Sequence, residues 1–291
     1  MTSQFNLFLP QMRFQMDAIV ERARAAEVAG FGGVALIDHL APPLALGHPM
    51  YEAITTAAWV TAHTERASVG HLVLCDSFRL PAVLAKQAVT LDHASGGRFE
   101  LGIGWGSAPE EFGVFGIPTD VPAARVRRLD ETLEVMRALW TGEALDFHGE
   151  FHQLVGAQQL PVPTRPIPIL IGGAGPRTLA VVAKHADWWN LPVTDLAKLD
   201  ELRPKVGRAR VSIQQMVAFV PSEAARAEVT ELAQRRFGRM GGLVVGNANE
   251  LLDHFAALAQ RGVERFYVWF ADFAPPETLA AFGAGVIAPL S

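Results

Sequence analysis

This sequence predicts an α/β fold built from repeated strand–helix units, with a (β/α)8 TIM barrel favoured over a doubly wound sheet. Three observations carry the reading. Short apolar runs alternate with amphipathic stretches along all 291 residues. The units number about eight, and a closed barrel typically takes about 250 residues. No shift of composition marks a linker and no repeat is visible, so 1–291 reads as one domain. Periodicity alone leaves the doubly wound sheet open.

The elements follow in order. Phe5–Leu9 reads as a buried strand and Met16–Ala29 as a helix, with Ile19, Ala23, Ala26 and Val28 at helical spacing and Gly30 as its stop. Gly33–Ile37 is a strand, Tyr51–His63 a helix and Ala67–Leu74 a strand. Pro81–Asp92 opens on a proline suited to a first helical turn. The turn Ser95-Gly96-Gly97 leads to a fourth strand, Phe99–Ile103, and a long helix covers Ala123–Trp140. Residues 141–168, rich in Pro, Gly and aromatics, read as an inserted loop or hairpin. The alternation resumes with strand Ile169–Ile171, helix Pro176–His185, strand Asp187–Asn190 and a weak helix over Leu196–Val206. Strand Val211–Val220 and helix Glu223–Phe237 come next. Asn249–Arg261 is a further helix with no clear strand before it, and strand Arg265–Phe270 and helix Pro276–Val286 complete the chain.

Half the residues are hydrophobic, enough for a core that needs no disulfide or metal staple. The net charge of −5 offers no basic stripe for nucleic acid. The single cysteine, Cys75, has no internal partner, which fits a reducing compartment, and an inert buried thiol is its commoner role. The start lacks a basic segment followed by a long apolar run, and no stretch reaches the roughly 18 uncharged residues of a membrane span. A cytoplasmic protein is the expectation.

Asp38-His39 closes the second strand, and the carboxyl ends of barrel strands form the active face. A histidine there can exchange a proton; the alternative is a polar strand end bonded to a neighbouring carbonyl. The other eight histidines show no ligand spacing, so no metal site is expected. Gly102-Ile103-Gly104-Trp105-Gly106 resembles a dinucleotide fingerprint only on the surface, and a tight strand exit accounts for it. Gly172-Gly173-Ala174-Gly175-Pro176-Arg177-Thr178 leaves a strand and opens a helix, where unpaired amides favour a phosphate. Trp188, Trp189 and Phe270 read as core or barrel wall, and Arg125, Arg127 and Arg128 as a solvated helix face.

Three segments together carry a resemblance: LIDHL at 36–40, LDHASGGRFELGIGWGSAPEEFGVFGIP at 91–118 and PIPILIGGAGPRTLAVVAKHADWWN at 166–190. They are similar to the luciferase-like monooxygenase superfamily, and especially to its branch of oxidoreductases dependent on coenzyme F420, a deazaflavin. The resemblance implies the barrel. It places Asp38 and His39 beside the ring as the catalytic pair. It puts Leu72, Val73 and Leu74 behind the ring, with a non-proline cis peptide between Leu72 and Val73. It implies that Gly104, Trp105, Gly106 and Ser107 line the cavity and that Gly172, Gly173, Ala174 and Gly175 take the phosphate of the tail. Where the family's sugar-phosphate dehydrogenases carry a catalytic Glu, this chain has Ser107, and Pro42-Pro43 replaces their tryptophan. That specific activity is therefore not implied. Glu110 and Glu111 look like the family's ordinary loop acids.

The expected reaction is hydride transfer between F420 and a small organic substrate, with the proton handled by His39. Leu40, Leu44, Leu46, Trp105 and Phe112 suggest apolar walls and a neutral or aromatic substrate. Two alternatives remain: an FMN-dependent two-component monooxygenase on the same barrel, and a non-catalytic flavin-binding protein. A homodimer through 51–63 and 81–92 is a further family expectation.

Overall fold

The computed structural model describes residues 3–43, 47–118 and 120–290. Eight parallel strands close on themselves. They are β1 (Gln4–Phe8), β2 (Gly33–Leu36), β3 (Ser68–His71) continued by the short β4 (Leu74–Cys75), β5 (Phe99–Gly104), β8 (Ile169–Gly172), β9 (Trp188–Leu191), β10 (Arg210–Phe219) and β12 (Arg265–Phe270). Each pairs with the next, and β12 returns to β1 in register from Gln4 opposite Arg265 to Leu7 opposite Val268. Strands buried on both faces need apolar residues throughout, which is why β12 reads RFYVWF and is buried at all six positions.

Helices cover the outside: α1 (Met16–Val28), α2 (Ala53–Ala62), α3 (Pro81–Ser95), the short α4 (Pro109–Val114), α5 (Pro122–Leu139), α6 (Pro176–His185), the single turn α7 (Leu199–Leu202), α8 (Arg226–Phe237), α9 (Ala248–Gln260) and α10 (Pro276–Phe282). Their apolar stripes pack on the barrel in one cluster that includes Ile19, Ala23, Ala57, Leu84, Leu133 and Phe255. Proline stands in the first turn of α3, α5 and α6, where its missing N–H costs nothing. Asn247 and Glu250 form a reciprocal cap on α9. Inside the barrel, side chains from alternate strand positions, among them Asn6, Ala35, Glu100, Leu170 and Tyr267, meet across a narrow space.

The insertion at 141–168 is a hairpin of β6 (Leu145–His148) and β7 (Gln153–Ala157). The Glu131 carboxylate on α5 holds its turn, accepting the amides of Glu150, Phe151 and His152 at 2.5, 2.7 and 3.0 Å.

Three expectations need correction. The weak helix at Leu196–Val206 is a chain of short turns, with Leu199–Leu202 the only α-helical part; Pro204 interrupts any longer run. A strand does precede α9: β11 (Val244–Gly246) pairs with Val217–Phe219 at the end of β10, while β12 pairs with Ser212–Val217. The third strand is also interrupted. Val69 faces Phe99 but Leu74 faces Ile103, so one extra residue bulges out between them. The Leu72–Val73 peptide in that bulge is cis, as the family resemblance suggests. Among the described residues no helix is long and apolar enough to cross a membrane.

Candidate functional site

The carboxyl ends of β2, β4, β5 and β8 bring together most of the residues singled out from the sequence. Asp38 follows β2 and is buried. Its Oδ2 accepts the Cys75 amide at 2.6 Å and a guanidinium N–H of Arg79, and its Oδ1 accepts a second Arg79 N–H at 3.0 Å. Arg79 also donates to Glu52 at 3.2 Å. With both oxygens committed, Asp38 joins the ends of the second and third strands, and its carboxylate is not offered to a ligand.

His39, one residue on, is only 15 % exposed. Its Nδ1–H donates to Glu111 Oε2 at 2.8 Å. Glu111 Oε1 accepts the amides of Leu40 and Ala41. One carboxylate on α4 thus fixes the imidazole ring and the backbone after it. Among the described residues nothing bonds Nε2, which is left as the nitrogen able to take or give a proton. Glu111 is the participant that sequence reasoning set aside as an ordinary loop acid. It lies 72 positions from His39, and no local pattern announces such a contact.

The Gly102–Gly106 run has an explanation within the protein. A Cβ on Gly102 would stand 1.8 Å from the His71 carbonyl oxygen, so the bulge in the third strand demands a glycine opposite it. Val73 sits at the same place, about 3.0 Å from where a Gly104 Cβ would lie. Trp105 donates to Thr178 Oγ1 at 3.2 Å, tying this loop to the start of α6. Ser107 is exposed.

Arg125 is not on a solvated face. It is 5 % exposed and donates to the Gly106 carbonyl at 3.2 Å, with its guanidinium over the rings of Trp105 and Phe112 at 4.8 and 5.3 Å. The first turn of α5 points under the loop, which helical periodicity alone did not reveal. Arg127 is exposed and paired with Glu150, whereas Arg128 is half-buried near Asp76. Phe112 is fully buried against Phe78 and is not a pocket wall. Leu40 is exposed and Trp105 half-buried; Leu44 and Leu46 lie outside the described residues.

Gly173 has φ +125°, a conformation that L side chains rarely adopt. Its amide donates to Asn190 O at 3.1 Å and its carbonyl accepts the Trp189 indole N–H at 2.7 Å. Gly173's amide is therefore spent on the barrel and is not free for a ligand. The amides of Ala174, Gly175, Arg177 and Thr178 have no acceptor among the described residues, as the start of a helix dictates. Around Gly175 an added Cβ would touch nothing closer than 4.0 Å.

Two further groups at this end are inert or strained electrostatically. Burial, then the charge of Asp38, pushes the Cys75 thiol up to about 12, so it stays protonated. Burial pushes Asp76 from its ordinary 3.8 to about 6, against the opposing charge of Arg128 at 3.7 Å and the neighbouring Thr132 hydroxyl. Among the described residues no group of three or more His, Cys, Asp or Glu could hold a metal ion.

A family model for luciferase-like monooxygenases matches residues 2–239. An F420-dependent glucose-6-phosphate dehydrogenase of Gordonia bronchialis is 36% identical over 180 residues, which is 60% of this chain and 51% of that enzyme. Among solved structures, an F420-dependent secondary alcohol dehydrogenase in complex with an F420–acetone adduct superposes with a TM-score of 0.81 at 20% identity, over 100% of this chain and 99% of that one. An EDTA monooxygenase from Chelativorans sp. BNC1 does so with a TM-score of 0.83 at 15% identity, over 100% and 93%. The structural likenesses establish the barrel, and the family model spans most of it. The chain belongs to the luciferase-like monooxygenase family of oxidoreductases.

Proposed function

We propose that this enzyme transfers a hydride between F420 and a small, apolar organic substrate, with His39 as the proton carrier. The observation that carries the reading is the His39–Glu111 pair: an imidazole clamped at Nδ1, unpaired at Nε2, at the carboxyl end of the second strand. F420 supplies the hydride chemistry when bound. The residues fit such a cofactor. Val73 and the cis peptide before it would stand behind the ring, and Gly104 to Ser107 would border it. The unpaired amides of Ala174, Gly175, Arg177 and Thr178 would hold the phosphate of the tail, helped by the positive end of α6. Asp38 would act by holding β2 and the third strand together through Arg79 and Cys75, so that His39 keeps its position.

The preference for F420 over FMN rests on sequence. Several relatives at 34–37% identity are named F420-dependent glucose-6-phosphate dehydrogenases, among them that of Nocardia farcinica at 34% over 217 residues, 70% of this chain and 64% of that enzyme. The EDTA monooxygenase above is similar at 15% identity. An FMN-dependent monooxygenase on the same barrel is the second reading. Glucose 6-phosphate is not favoured as substrate, because Ser107 stands where those dehydrogenases carry their catalytic glutamate. The test is turnover with F420 and a panel of alcohols and ketones while oxygen is monitored. Substrate-dependent F420 oxidation or reduction without oxygen uptake is expected. Stoichiometric oxygen uptake with reduced FMN would overturn the reading.

A further inference from the structure

A cavity of about 340 Å³ opens at the amino-terminal ends of the strands, the end of the barrel opposite His39. That volume falls in the range of small-molecule sites. Four arginines line it, Arg66, Arg98, Arg165 and Arg265, against one carboxylate, Glu100. The chain as a whole carries −5, so this gathering of positive charge runs against its average.

The four are not equivalent. Arg265 forms the floor. It is buried, paired through two hydrogen bonds with Glu100 at 2.6 and 3.1 Å, bonded to Tyr267 at 3.1 Å and laid over Trp188 at 3.8 Å. Its charge is neutralised within the barrel. Arg98 forms a rigid wall. Its donors go to the Ser95, Ala67, Thr61 and Thr64 carbonyls and the Thr64 hydroxyl at 2.6–3.2 Å. Those acceptors fix its position but carry no net charge. Glu27, whose charge reaches both Arg66 and Arg98, does not line the cavity and is engaged by the amides of Glu65, Arg66 and Ala67. Arg66 and Arg165 stand exposed at the rim, and among the described residues neither guanidinium has an acceptor. Two guanidiniums with unspent donors, Arg66 and Arg165, thus share the concavity with the charge of Arg98, whose five N–H groups are all taken, and Ser3 and Ser68 also line it.

We infer that this cavity binds a small phosphate-bearing anion, with Arg66 and Arg165 closing on it from the rim and Arg98, its N–H groups already spent, adding only its charge from the wall. A concavity lined by one sign of charge concentrates counter-ions. The planar fork of arginine matches phosphate oxygens, and the two free forks of Arg66 and Arg165 suit a dianion better than a monovalent halide. The inference does not depend on the cofactor bound at the other end.

The test is thermal unfolding of the protein in 10 mM inorganic phosphate or glycerol 3-phosphate, against sodium chloride of equal ionic strength. For a millimolar site the expected rise in Tm is about 3 °C, and it should saturate. The double variant Arg66→Ala/Arg165→Ala changes only exposed side chains and should lose the rise, while Arg66→Lys/Arg165→Lys should keep part of it. If glycerol 3-phosphate saturates first, the ligand is a phosphate ester; the reverse order assigns free phosphate. No saturable rise in the parent protein would overturn the inference. So would an equal rise in the alanine variant, which would place the phosphate on the glycine loop at 172–175 instead.

Discussion

If His39 carries the proton, as proposed, Glu111 is what holds its imidazole in place. A clamped Nδ1–H sets the tautomer and aims Nε2, so the two side chains should act as a unit. His39→Ala is expected to lower kcat by about 10²- to 10⁴-fold while cofactor affinity changes far less. Glu111→Ala should fall within about tenfold of it in kcat, and the double variant should be little worse than either single one. Steady-state kinetics and a cofactor titration on the three variants check this; multiplicative losses would show that the residues act independently. Asp76 offers a pH test at the same scale. Its folded value of about 6 lies above its ordinary 3.8, so the folded state favours the protonated form. The stabilisation from that proton is complete below about pH 4 and is lost as pH rises through about 6. Asp76→Asn removes the buried charge and should stabilise the protein by on the order of 2 kcal/mol at pH 8, with little effect at pH 4. Equal Tm changes at both pH values would contradict this. At this scale the sequence singles out Asp38 and His39 as candidates, because they follow an obvious strand and the resemblance names them as a pair. It could not disclose Glu111 or the burial of Arg125, since both depend on how α4 and the first turn of α5 fold back over the barrel mouth.

Elements were more legible than contacts, for a physical reason. Apolar strand runs and amphipathic helices express their own periodicity, so all eight barrel strands are legible in order. The ninth, Val244–Gly246, was missed because three residues carry no period, and it exists only because β10 outruns β12 and offers an edge. The cis peptide at Leu72–Val73 comes from resemblance and not from pattern. The glycine loop before α6 was read correctly as a strand-to-helix turn, but not which amides it leaves free. That detail suggests a clean substitution. Gly175 has φ −71° and open space around it, so Gly175→Asp adds a carboxylate without strain. Aspartate is also a good residue at a helix start, so Tm should hold or rise slightly. Binding of the phosphorylated cofactor should weaken at least tenfold, while a phosphate-free analogue such as riboflavin is unaffected. Equal losses for both ligands would show that the loop shapes the ring pocket instead of holding phosphate.

At the scale of the molecule, the two ends of the barrel carry different groups. The carboxyl ends carry His39, the bulged third strand and the free amides of the glycine loop. The amino-terminal ends carry the Arg265–Glu100 pair and the arginine-lined cavity. Fold class was readable from eight repeating units, but closure was not, because a strand pattern is the same in an open sheet and in a ring. The pairing of β12 with β1 settles it. Cofactor identity is the point on which the functional account turns, since one barrel serves F420 and flavin enzymes alike. The most direct measurement is a side-by-side titration of the cofactor-free protein with F420 and FMN. The account predicts tighter binding of F420. FMN binding at least tenfold tighter, a difference of about 1.4 kcal/mol, would contradict it.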